Sequence, residues 1–311
     1  MTKTMRAIRQ TALGGPGVLE PVETERPSAG PGRILVRVVA AGVNPVDWKV
    51  REHGYWHRPP LIPGWDVSGV VEDTGPGENR FRVGDEVYGM PYFPEVGGGY
   101  AEYVAAPARH FARKPRTLDH VHAAALPLAA LTGWQALTEA ADVRPGQRVL
   151  VHAAAGGVGH LTVQLAKALG AHVTGTASAA KHDLLRDLGA DDLVDYRNED
   201  FTAIDPVDVV VDLVGGDYED RSLTVLKRGG VHVSVSPSGL AELRAKAEPH
   251  GVRAAAVMVA GDHTALEKIA HLVDEGKLRP VVAETFPLAD AAKAQESGET
   301  NRTTGKIVLT V

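Results

Sequence analysis

The chain contains no cysteine. That excludes disulfides, iron–sulfur clusters, thiolate nucleophiles and cysteine-held zinc. Basic charge is not in excess. Lys and Arg number 33 against 39 Asp and Glu, for a formal net charge of -6. No nucleic-acid partner is expected from that balance. The opening stretch MTKTMRAIRQ lacks an apolar signal core. Gly, Pro or His interrupts every apolar run before the roughly 18 residues a membrane helix needs. Internal repeats and low-complexity linkers are missing too. A cytoplasmic protein with no membrane association is therefore expected. What is present is 311 residues, 44% apolar and 23% charged. That is the balance of an ordinary globular protein of about two domains.

The first third reads as β-rich. Strand-like runs of β-branched and aromatic residues occur at 33–39, 67–72, 84–87 and 100–105. Gly-Pro turn chemistry separates them, which predicts a small barrel or sandwich-like domain. From 122 to 141 the texture is Ala/Leu-rich and helical in period, with Pro127 inside it. Strands and helices then alternate. Strands are predicted at 148–152, 172–176, 193–195, 207–214, 231–235 and 253–259. Helices are predicted at 158–169, 179–188, 217–226 and 264–275, stopped by Gly170, Gly189, Gly229-Gly230 and Gly276. The pattern is βαβ, with a parallel sheet covered on both faces. A short helix at 288–296 and a strand at 306–311 return to the earlier style. The fold class is therefore α/β, and the tail is a candidate to complete the first domain.

Residues 148–160, RVLVHAAAGGVGH, run from a strand through a glycine-rich turn into a helix. That context makes the glycines a dinucleotide-binding hypothesis. One fingerprint position makes the tight turn, one admits the pyrophosphate and one lets helix and strand pack. They fall here at Ala154, Gly156 and Gly159, so the first departs from glycine. A helix entry with no ligand is the plain alternative. An NAD site places an acid about 20 residues on, at the end of the second strand. Residues 174–178 are Thr-Gly-Thr-Ala-Ser, with Lys181 following. A hydroxyl and an ammonium suit a 2′-phosphate, so NADPH is favoured as cofactor. Ser178 also fits a helix cap and Lys181 a solvated side chain.

Motifs along almost the whole chain carry a resemblance. They are AAGVNPVDWKV (40–50), PGWDVSGVVE (63–72), VGDEVYG (83–89), GGGYAEYVAAP (97–107), LPLAALTGWQAL (126–137), AAAGGVG (153–159), LGAD (188–191) and GKIVL (305–309). Together they resemble the medium-chain dehydrogenase/reductase superfamily, and within it the zinc-independent quinone oxidoreductases related to ζ-crystallin. The resemblance implies a GroES-like catalytic domain at 1–121 and 285–311 and a Rossmann domain at 122–284. It implies an active site in the cleft between them. It also implies NADPH, a small electrophilic substrate (a quinone, enone or enal) and a homodimer paired through the sheet edge near 253–259. Zinc is not expected. Asn44 stands at the usual first-ligand position, and the Gly-His-Glu motif reads Gly64-Trp65-Asp66.

The resemblance also assigns residues. Asn44 is the polar residue beside nicotinamide and substrate, although an Asn before Pro45 equally suits a turn. Thr132 lies near the nicotinamide. Gly156, Gly157 and Val158 form the pyrophosphate loop. Ser178, Lys181 and Tyr196 form the 2′-phosphate set. Val214, Gly215, Ser234 and Ser236 end strands where such sheets place ligands. Arg302 reaches in from the tail or stays solvated. Tyr55 or Tyr92 is the candidate proton donor. Trp48, Trp56 and Trp65 are candidates to stack on a flat substrate. An enoyl-thioester reductase, a non-catalytic NADPH sensor and a zinc alcohol dehydrogenase are the competing readings.

Overall fold

The computed structural model describes residues 3–55, 57–236 and 239–311. Trp56, one stacking candidate, lies outside the described residues. The chain forms two compact units. The first takes the residues up to Leu131 together with Ala260–Glu275 and Pro280–Val311; the second takes Thr132–Val259 and Gly276–Arg279.

In the first unit β1 (Thr4–Gln10) pairs antiparallel with β2 (Leu19–Glu25). Charged residues alternate along both, TMRAIRQ and LEPVETE, which hid them from the sequence reading. β3 (Arg33–Val43) is the longest strand of the neighbouring sheet and its last four residues are buried. It leads into α1 (Pro45–His53), which begins with Pro at its first position and stops at Gly54, φ 72°. Proline there sacrifices only an N–H that has no helical partner. β4 (Asp66–Thr74), β5 (Glu86–Gly89), β6 (Tyr103–Pro107) and β7 (Phe111–Arg113) complete the antiparallel part, with β4 and β6 both on β3. Ile34, Val36, Val67, Val87 and Phe111 form its core, each essentially buried. Pro127 divides the helix expected at 122–141. α2 (His120–Ala124) ends before it and α3 (Pro127–Gln135) starts on it, as a ring without an N–H requires.

The second unit alternates as predicted: β8 (Arg148–Val151), α4 (Gly159–Ala168), β9 (His172–Ala177), α5 (His182–Asp187), β10 (Asp192–Asp195), β11 (Val207–Asp212), α6 (Asp217–Val225), β12 (Leu226–Ser234), α7 (Leu240–Ala247) and β13 (Arg253–Ala256). The strands are all parallel, in the order β10-β9-β8-β11-β12-β13. That is the doubly wound dinucleotide-binding order. Val207, Val209, Val210 and Val211 are buried on both faces of β11. Gly229-Gly230 do not stop α6. It ends at Val225, and the glycines lie within β12 beside a register shift.

α8 (His263–Asp274) returns to the first unit, whereas the sequence reading drew the second domain over 122–284. Tyr88 donates its hydroxyl to the Leu266 carbonyl at 2.5 Å, and Thr117 donates N–H and O–H to Asp274. β14 (Val282–Pro287), α9 (Ala291–Glu299) and β15 (Lys306–Thr310) then finish the unit. β15 pairs antiparallel with β3, Ile307 opposite Val43. No described helix is long and apolar enough to cross a membrane.

Candidate functional site

Among the described residues, two side-chain constellations hold the candidates, one in each unit. The first sits where β3 turns into α1. Asn44 caps the helix, and its backbone N–H donates to Asp47 Oδ2 at 2.7 Å. The Asn44 amide is already engaged. Its Nδ2 donates to Asp66 Oδ2 at 2.8 Å, and its Oδ1 accepts from Lys306 Nζ. Lys306 Nζ also donates to the Val43 carbonyl at 3.1 Å and lies 3.4 Å from Asp66 Oδ2. Asp66 Oδ1 accepts the Leu128 N–H at 2.7 Å. Every member is buried: Asn44 1% exposed, Asp66 0% and Lys306 3%. Gly42, opposite Asp66 in the ladder, permits this approach. A Cβ there would come within 2.5 Å of the Ala124 carbonyl and 2.9 Å of the Asp66 side chain.

Asp47 lies under the same turn. Its Oδ2 also accepts the Tyr100 hydroxyl, while its Oδ1 has no hydrogen-bond partner among the described residues. Burial raises its pKa from 3.8 to about 7, and the nearby Asp66 adds to this; the bonds from Asn44 and Tyr100 and the Lys306 charge only partly oppose it. Burial and the Asp47 carboxyl push Tyr100 well above the usual phenol range. From the last turn of α1, buried Arg51 donates to Gln295 at 2.7 Å and pairs with Glu299, tying α1 to α9.

Tyr55 and Arg302 belong to the first unit but not to this cluster. Tyr55 lies past the far end of α1, half exposed, with φ 45°. Arg302 is exposed in the α9–β15 loop. Trp65 is buried, donating its indole N–H to the Glu95 carbonyl, and Trp48 packs on Gly298.

The second constellation lines the carboxyl ends of the parallel strands. Between β8 and α4 the turn passes Ala153 at φ 48°, and residues Gly156, Gly157 and Val158 are only partly buried. A Cβ on Gly159 would sit 2.3 Å from the Ala153 carbonyl, so the close packing demands glycine. Ala154, in place of the first fingerprint glycine, is accommodated across the sheet. Gly175 of β9 faces it, and a Cβ on Gly175 would come 2.9 Å from the Ala154 methyl.

His152 anchors the turn from below. Its ring bonds Thr176 Oγ1 at 3.2 Å and Ser222 Oγ at 2.9 Å. Burial lowers its pKa to about 4, so it is neutral. Asp212, at the end of β11, accepts the N–H groups of Val214 and Gly215 at 2.8 and 2.9 Å. Burial opposes its ionisation, but His232 and these N–H groups outweigh that and hold its carboxyl below the usual range.

The remaining sequence candidates follow in strand order. Ser178 is buried after β9 and makes no side-chain cap bond, and Lys181 is part-exposed. Tyr196 is 46% exposed just after β10, the Arg197 guanidinium 5.9 Å from its ring centre. Val214 and Gly215 follow β11. Ser234 closes β12 by exchanging hydrogen bonds with Ser236. Thr132 is buried in α3. Neighbouring strands thus bring Gly156, Gly157, Val158, Ser178, Tyr196, Val214, Gly215 and Ser234 to one end of one sheet.

Sequence reasoning missed Asp47, Asp66, Tyr100 and Lys306. For Asp66 and Lys306 the available signal was charge inside otherwise apolar motifs, PGWDVSGVV and GKIVL; Asp47 and Tyr100 carried none.

Residues 30–116 match the alcohol dehydrogenase GroES-like domain, and residues 188–309 match a family described as zinc-binding dehydrogenase. The human mitochondrial NAD(P)H oxidoreductase RTN4IP1 is 34% identical, over 90% of this chain and 82% of its own length. The chloroplastic NADPH-dependent alkenal/one oxidoreductase of Arabidopsis thaliana is 35% identical, over 99% and 80%. The solved quinone oxidoreductase of Coxiella burnetii superposes with a TM-score of 0.93 at 38% identity, covering 99% of this chain and 100% of that one.

One of those descriptions implies zinc, and the residues here do not fit it. Zinc wants Cys or His with at most some carboxylate. This cluster offers an amide, one carboxylate and a carbonyl with an ammonium among them. Among the described residues, no group of three or more His, Cys, Asp and Glu is placed to hold a metal.

Proposed function

The chain belongs to the medium-chain dehydrogenase/reductase superfamily, in its quinone oxidoreductase branch, and from that premise we propose that it is an NADPH-dependent reductase of quinones or electron-poor carbon–carbon double bonds that works without zinc. The observation that carries this reading is the β8–α4 turn. Gly159 lets it fold tightly, and residues 156–158 stay only partly buried at the start of a ten-residue helix.

NADPH, when bound, supplies the hydride. The chain binds and orients. The N–H groups at the start of α4 and the helix dipole favour a pyrophosphate. Ser178 and Lys181 offer a hydroxyl and a positive charge to a 2′-phosphate. One observation favours NADH instead. The Asp195 carboxylate reaches this turn and is held ionised by Asn198 and by the N–H groups of Arg197 and Ala179. Its charge suits ribose hydroxyls better than a phosphate. Asn198 and those N–H groups already occupy it, so we favour NADPH.

Hydride arriving at the β-carbon of an enone leaves negative charge on oxygen, which needs a donor, and an α-carbon that needs a proton. Tyr55 is the exposed phenol assigned to that task in this reading.

The test is NADPH oxidation, followed by absorbance, against quinones, enals and enones, with NADH in parallel. Turnover with NADPH preferred by at least roughly tenfold is expected. An equal or better rate with NADH removes the 2′-phosphate assignment. Tight NADPH binding with no turnover across the panel removes the substrate assignment.

A further inference from the structure

We propose that Lys306 is an internal cation of the first unit. Its ammonium fills the place among the Val43 carbonyl, Asn44 Oδ1 and Asp66 Oδ2 that a bound cation would otherwise take, and so positions the Asn44 amide. An ammonium has three N–H donors, and these three oxygens surround it. At 3% exposure, Lys306 has almost no water to replace any of them.

The amide orientation follows from charge. Asn44 turns its oxygen to the ammonium and its NH₂ to the Asp66 carboxylate. A flipped amide would set NH₂ against NH₃⁺ and oxygen against carboxylate, losing both bonds. Three separated segments converge to build the site. β15 delivers Lys306 through the Ile307–Val43 register, β4 delivers Asp66, and Gly42 leaves room for it. Lys306 and Asp66 together are neutral. A divalent ion would have to displace the ammonium and leave surplus positive charge buried beside it, which is costly. Lys306 is thus a positioning residue acting through Asn44.

The inference rests on the zinc-free part of the proposed function. Its primary readout is melting, so a failed hydride assay leaves it open to decision. Lys306→Ala is expected to lower Tm by roughly 10 °C. Ethylammonium chloride should restore at least half of that loss, and tetramethylammonium chloride at equal ionic strength none, because it has no N–H to donate. A Lys306→Ala chain melting with the wild type, or responding equally to both salts, overturns the proposal. With an acceptor found, kcat should fall roughly tenfold and recover with ethylammonium, while the NADPH Kd moves less than about twofold. An equal loss in both would make Lys306 merely structural. Should Lys306→Ala fail to fold, Lys306→Met is compared with Lys306→Met/Asp66→Asn. The double variant buries no unpaired charge and should melt higher and yield more folded protein. A double variant no better than the single one overturns the proposal.

Discussion

The Tyr100 hydroxyl donates to Asp47 Oδ2 at 2.9 Å, and the same oxygen takes the Asn44 N–H at 2.7 Å. One buried carboxyl therefore serves a helix cap and a phenol at once, with its other oxygen unpartnered among the described residues. Burial of that carboxyl, only partly offset by these two bonds, sets how the first unit responds to pH.

Folding raises the Asp47 pKa from 3.8 to about 7. Between those values the folded chain binds a proton that the unfolded chain has released. Stability from this group therefore falls as pH rises through that window, and its cost is complete above about pH 7. Asp47→Asn keeps an acceptor oxygen and removes the titration. Denaturant unfolding at pH 4 and pH 8 should show the wild type losing on the order of 4 kcal/mol relative to the variant. Parallel pH profiles would refute this.

Gly156 and Gly159 should fail in different ways. A Cβ on Gly159 meets backbone at 2.3 Å, whereas on Gly156 the nearest atom is 3.2 Å away. Gly159→Ala should destabilise the second unit by about 1–3 kcal/mol. Gly156→Ala should lower Tm less than Gly159→Ala does and weaken NADPH binding by about tenfold or more. Thermal melts and NADPH titration by fluorescence separate the two.

Charge reversal at Lys181 tests cofactor choice. Lys181→Glu should raise the NADPH KM at least roughly tenfold and leave the NADH KM within about twofold. The ratio of the two KM values is the measurement. Equal shifts for both cofactors would make Lys181 a general contact and not a phosphate contact.

Chelation tests the metal-free reading. Prolonged dialysis against EDTA should leave turnover unchanged, and elemental analysis should find less than about 0.1 zinc per chain. Stoichiometric zinc, or activity restored only by zinc, would refute it.

The parallel sheet was legible because its strands are short apolar runs between glycine-stopped helices. β11, VDVVVD, shows this most plainly. α1 was not, because PVDWKVREH buries two charged residues, Asp47 and Arg51, and so breaks the apolar stripe that marks a helix. The turn at 152–158 was legible as local glycine spacing. The Lys306–Asp66 pair was not, since 240 residues separate its members and no periodicity links them. Asn44 stood out from its motif, but only the folded chain shows its amide engaged with those two charges.

β15 lies against β3 although 263 residues separate Lys306 from Val43. During synthesis the residues of Thr132–Val259 are complete before β15 exists. The later unit in the sequence can therefore settle first, while Asn44 and Asp66 wait for their ammonium. Ribosome-stalled chains cut at intervals should show protease resistance in the second unit before the first, and the reverse order would exclude it. The closing strand would then act as a checkpoint on assembly, since a chain lacking it carries an uncompensated carboxylate at the heart of its first unit.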